Sequence, residues 1–117
     1  MNFRPTFDIL RNEMNETMRE FAIQTIDYVL NSCSNNYGCV AMKLINALNQ
    51  QYKSRSSQWQ TIISSNTNAD RMAVDVDYLR GFLLDIIYNN EHRVLIYKTA
   101  IEGKVVFICI NILFYII

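Results

Sequence analysis

Apolar residues recur along the first third of the chain at three- and four-residue steps. Leu10, Met14, Met18, Phe21, Ile26, Val29 and Leu30 share one helical face, and the spacing predicts a helix over Thr6 to Asn31. "NSCSNNYG" at 31–38 reads as a loop closing on a glycine. Val40, Leu44, Leu48 and Tyr52 then form a narrow stripe, which predicts a second helix over 39–54. Trp59, Ile62 and Ile63 make a short apolar patch bounded by serines, suited to one brief helix. The polar stretch 64–70 offers Asn66, Thr67 or Asn68 as the N-cap of a further helix over about 69–88. That helix carries Met72, Val76, Leu79, Leu83 and Ile86 on one side. Asn89 or Asn90 ends it, and a last helix begins.

The final stretch, "VVFICINILFYII" at 105–117, is apolar throughout except for Asn111. A membrane-spanning helix needs about twenty apolar residues, and this stretch is thirteen residues long. Three readings compete: a helix buried in the fold or against a second copy, a C-terminal membrane anchor extended by Lys104, and a strand.

Length fits one domain over 1–117, with no internal repeat. Three glycines and one proline leave little of the turn chemistry that a β-sandwich needs, so the composition predicts an all-α chain with polar connections. A formal net charge of zero argues against nucleic acid as partner, since phosphate binding needs a concentrated basic field. The one local cationic cluster is "YKSR" at 52–55. Cys33, Cys39 and Cys109 show no CxxC spacing and only His92 could join them, so they read as three reduced thiols and not as a metal site. Nothing suggests catalysis or a cofactor. His92 has no nucleophile placed by a local motif, and Asp75 and Asp77 would diverge on a helix.

"REFAIQTIDYVLNS" at 19–32 resembles the opening helix of Bcl-2 family apoptosis regulators, typically "REIVMKYIHYKLSQ", with Arg19, Glu20, Ile26, Tyr28 and Leu30 coinciding. "LINALNQQY" at 44–52 looks like the family's second helix, with Leu44 and Ala47 matching "LRxAGDxF". "ADRMAVDVDYLRGFLLDI" is similar to the fourth helix in apolar spacing. "NEHR" at 90–93 stands where the family has "NWGR", so Asn90 and Arg93 match. The resemblance spans roughly 19–110 and lacks the second homology motif and the closing helices. It implies a shortened, divergent member, a Bcl-2-like helical bundle around a central hydrophobic helix, and the Asn/Ile/Tyr-rich composition would suit a viral one.

The same resemblance implies a function. A groove between the second and fifth helices would hold the death-motif helix of a pro-apoptotic Bcl-2 relative, inhibiting mitochondrial apoptosis in a host cell. Arg93 would meet the ligand aspartate, with Asn90 capping the fifth helix beside it. Tyr52, Leu83, Ile86, Ile87 and Ile96 would line the groove. The expected setting is host cytoplasm or the mitochondrial outer membrane. Without closing helices the central helix needs cover, which a homodimer or membrane contact through 105–117 could supply. Two other readings stand beside this one: the same fold binding host signalling adaptors through another face, and a small helical membrane-anchored protein.

Overall fold

The computed structural model describes residues 5–65 and 76–101. It corrects the all-α expectation: the chain folds as four antiparallel strands with two helices on one face. The elements are β1 (Phe7–Asn12), α1 (Glu16–Ser32), α2 (Tyr37–Gln51), β2 (Ser57–Ser64), β3 (Leu83–Tyr88) and β4 (His92–Ala100). Strand order across the sheet is β1-β3-β4-β2. The helix pair therefore connects the two outer strands, while the hairpin β3–β4 fills the middle.

Asparagine chemistry divides the first predicted helix. The Asn12 side chain accepts from the Met14 N–H at 3.0 Å, turning the chain out of β1. Three residues later Asn15 caps α1 by accepting from the Met18 N–H at 2.9 Å. The second predicted helix is present as α2, capped by Asn36, and Gly38 lies inside it rather than closing a loop. Between the helices Ser34 and Asn35 take left-handed backbone (φ 51° and 61°), which costs little at asparagine and more at serine. That turn brings Cys33 and Cys39 together as a disulfide, with Cα atoms 5.7 Å apart. The expectation of three free thiols is thus corrected for this pair.

None of the remaining predicted helices is a helix where it is described. The patch around Trp59 is β2, the end of the supposed 69–88 helix is β3, and the segment led by Arg93 is β4. Asn89 and Asn90 supply the two left-handed residues of the hairpin turn (φ 52° and 55°), closed by the Glu91 N–H donating to the Tyr88 carbonyl at 3.0 Å. Asn90 is therefore an exposed turn residue and caps no helix. The proposed N-caps Asn66, Thr67 and Asn68, and the apolar stretch 105–117, lie outside the described residues.

The core lies between helices and sheet. Ala22, Ile26, Val29 and Leu30 of α1 and Val40, Leu44 and Leu48 of α2 meet Trp59, Leu84, Ile86, Val94 and Ile96 from the strands. On each strand the intervening residues face the other way. Leu83, Asp85 and Ile87 on β3 share that second face with Arg93, Leu95 and Tyr97 on β4.

Candidate functional site

The residues expected to line a helical groove do not converge. Arg93 sits near the start of β4 on the sheet face away from the helices, and only 5% of it is exposed. Its Nε donates to Asp85 Oδ1 at 3.1 Å and its Nη2 to Asp85 Oδ2 at 2.7 Å. These bonds hold the Arg93 proton more tightly than usual, outweighing the opposing effect of burial. The carboxylate that Arg93 meets is thus an internal one, where a ligand's aspartate was expected. Leu83 and Ile87 share Arg93's face, whereas Ile86 and Ile96 are buried under the helices. Tyr52 is the C-cap of α2, half-buried, with its ring edge-on to Phe21 and tilted against Trp59. The seven residues fall on two sheet faces, one turn and one helix end. The groove between a second and a fifth helix has no counterpart among the described residues.

His92 is also buried. The Tyr37 hydroxyl lies 2.6 Å from His92 Nδ1, and Tyr88 donates to Asp27 Oδ1 of α1 at 2.5 Å. Burial raises the pKa of both tyrosines, helped at Tyr88 by the bond to Asp27. This cluster ties α1 and α2 to the β3–β4 hairpin. Among the described residues no group of His, Cys, Asp and Glu could hold a metal ion. Nor is any described helix long and apolar enough to cross a membrane.

What the fold presents is an edge. Among the described residues β2 pairs only with β4, residue for residue from Ser57 opposite Ala100 to Ser64 opposite Arg93, with no slip. Its sequence, "SQWQTIIS", carries no charge and no proline. Backbone groups alternate along a strand. The Ser56 carbonyl accepts from the Ile101 N–H at 2.8 Å, which sets the even-numbered residues of β2 toward β4. The odd-numbered residues turn outward. At Trp59 the outward N–H is taken by the Asn49 side chain of α2 at 3.2 Å. At Thr61 and Ile63 no described group takes the outward N–H and carbonyl. The Thr61 hydroxyl donates to the Leu95 carbonyl at 2.9 Å, a further tie between β2 and β4.

Beside the start of β2 lies a recess of about 620 Å³, lined by Asn49, Lys53, Ser54, Arg55, Ser57 and Gln58 with Ile101. Just inside that end, Lys98 lies opposite Trp59 and is 6% exposed. Its ammonium sits over the Trp59 ring at 5.2 Å and the Phe82 ring at 4.9 Å. Burial lowers its pKa. The Trp59 Nε1–H is buried with no acceptor.

Sequence reasoning missed Asn49, Asp85 and Lys98. The available signal was a lone charge inside a short apolar run, in "LLDIIY" and "VLIYKTA", which marks a buried charge needing a local partner. No protein-family model matches the chain, and no curated protein matches it. Among the described residues, the clearest feature of the fold is the outer edge of β2, which no other strand pairs.

Proposed function

We propose that this protein is an interaction module that binds an extended segment of a partner protein as an added strand along β2. The observation that carries the reading is the regular, uncharged outer edge of that strand, unpaired among the described residues. An edge of this kind is a template for another chain, and folds that do not use it usually disrupt it. In strand addition the backbone supplies affinity and alternate side chains supply selectivity. Thr61 and Ile63 offer the outward donors and acceptors, while Asn49 closes the ladder at Trp59. No catalytic step is part of this reading. Capture of a death-motif helix is not carried forward, because it needed a groove between helices and an Arg93 available to a ligand.

The test uses the full chain against a displayed library of extended peptides, with binding read by fluorescence polarisation. Thr61→Pro removes one outward N–H and leaves the β4 ladder in place. It should weaken selected peptides by about tenfold or more, equivalent to about 1.4 kcal/mol, with the fold retained by circular dichroism. Failure of any peptide to be selected, or binding indifferent to Thr61→Pro, would sink the proposal. Sedimentation equilibrium on the free protein identifies a competing occupant: a dimer that Thr61→Pro dissociates would make the added strand a second copy.

A further inference from the structure

We infer that the strand taken up by β2 carries an acidic side chain just beyond the paired residues, read by Lys53 and Arg55. The inference rests on strand addition at β2 and names the chemistry of the partner.

Three features of the edge lead there. The first is the register stop. Because Asn49 already accepts the Trp59 N–H, an incoming strand can pair at Thr61 and Ile63 but not past Trp59. Its chain must leave the edge at that point. Leaving there, it passes over the recess beside Ser57.

The second feature is the charge of that recess. Its described lining holds two cations, Lys53 and Arg55, with amides and hydroxyls from Asn49, Ser54, Ser57 and Gln58, and no acidic residue among the described residues. Lys53 and Arg55 are exposed, and neither is bonded to a carboxylate among the described residues. The third feature is that the loop carrying them is held in shape. The Ser54 hydroxyl accepts from the Ser56 N–H at 3.2 Å, fixing the backbone between the two cations.

The plainer explanation is that these cations only neutralise the negative end of the α2 dipole. That effect fades within the last turn, and the last turn of α2 itself holds no basic residue. Lys53 and Arg55 come after it, beyond the Tyr52 cap, on the side of the open edge. A carboxylate arriving there would meet a guanidinium able to bond it twice and a second, mobile cation.

The test measures direct binding of synthetic probes. Labelled peptides share one alternating threonine–valine core and carry three glutamates or three lysines at one end or the other. Polarisation titrations are run at about 50 mM and about 500 mM salt, across which screening of exposed charges becomes severe. The glutamate-ended probe should bind about tenfold more tightly than its lysine-ended counterpart for one end only, and the gap should narrow at the higher salt. The double variant Lys53→Glu/Arg55→Glu should reverse the preference, and Lys53→Gln/Arg55→Gln should erase it. Both positions are exposed, so neither variant threatens the fold. Probes that bind in a Thr61→Pro-sensitive way but ignore end charge would overturn this inference and leave strand addition standing. If no probe binds at all, both fall together.

Discussion

The two outer strands of the sheet are built to opposite specifications. β1 has six residues, five of them exposed, with Asp8 and Arg11 among them. Its register slips between Ile9 and Arg11, so Leu10 has no partner opposite and the strand is kinked. β2 has eight residues, none charged and none fully exposed, in unbroken register. Hydrophobicity does not separate the two, since β1 exposes Ile9 and Leu10. What separates them is whether a second chain could add a ladder: a kinked, charged edge refuses one, and a regular, neutral edge accepts it. β1 is also clasped by the chain that precedes β3. Arg11 donates to the Tyr78 hydroxyl at 3.0 Å, and Tyr78 donates to Glu13. One edge is closed by its own residues, and the other is unpaired among the described residues.

Both edges hang on one buried ion pair, and breaking it should have the largest effect. Asp85 faces Arg11 of β1 across one ladder, and Arg93 faces Ser64 of β2 across the other. Arg93→Ala leaves the Asp85 carboxylate buried without its main partner. The expected loss is about 3–5 kcal/mol, read by urea denaturation, and both edges should loosen together. The double replacement Asp85→Leu/Arg93→Met should recover most of it, because a desolvated pair contributes little net stability. An Arg93→Ala protein of unchanged stability would show that the pair does not join the two halves of the sheet.

The next prediction separates the two sides of β2. Gln60→Pro removes an N–H that faces β4 and should cost about 1–3 kcal/mol, the price of a buried carbonyl left without its donor. Thr61→Pro removes an outward N–H and one hydroxyl bond, so its cost should be about 1 kcal/mol. If the two substitutions cost the same, the outward side of β2 is not an open edge.

How much of this was legible in the sequence differs between the two halves of the chain. α2 and the core face of α1 follow from spacing alone, because polar residues separate their apolar stripes. The strands do not. "LLDIIY" and "HRVLIYKTA" are near-continuous apolar runs, buried on one face by helices and buried again on the other. Such runs fit a buried helix as well as a central strand, and the β-branched content of Ile86, Ile87, Val94 and Ile96 was the better guide. Asn89 and Asn90 were read as a helix boundary, although paired asparagines between two apolar runs are also a hairpin signal. The expectation placed the anion for Arg93 on a ligand, whereas its carboxylate partner in the fold is Asp85. That the anion is Asp85, eight residues earlier, follows only once both sit in paired strands with side chains on one face.

Lys98 offers a smaller effect, local to β2. Its ammonium is buried between two rings with no carboxylate bonded to it among the described residues. The ring contacts offset part of the desolvation, which still lowers its pKa. A lowered folded pKa means that unfolding takes up a proton between that value and the unfolded value of about 10.4, so stability rises with pH through that window. Lys98→Met should raise the neutral-pH stability by about 1 kcal/mol, roughly 4 °C in the melting midpoint, and abolish the rise. A loss of stability instead would mean that the cation–π contacts dominate.

The smallest effect should appear at β1. The Tyr78 bond, with the Gly81 N–H, holds the Glu13 carboxyl below the usual glutamate range. A depressed carboxylate contributes stability above its unfolded pKa, about 4.3, and that contribution is lost as pH falls through the folded value. Acid should therefore open the clasp between Glu13, Tyr78 and Arg11 while leaving β2 untouched, since β2 has no titratable residue. The measurement is amide hydrogen exchange at several acidic pH values, corrected for the intrinsic rate at each. Protection at Asn12 and Glu13 should fall with pH, whereas protection along the inward side of β2 should not. Glu13→Gln keeps an acceptor for Tyr78 but removes the charge, so its β1 exchange should be slightly faster at neutral pH and lose its dependence on acid. Equal loss of protection at both edges would mean that acid acts on the sheet as a whole, and that β1 owes its closure to the kink alone.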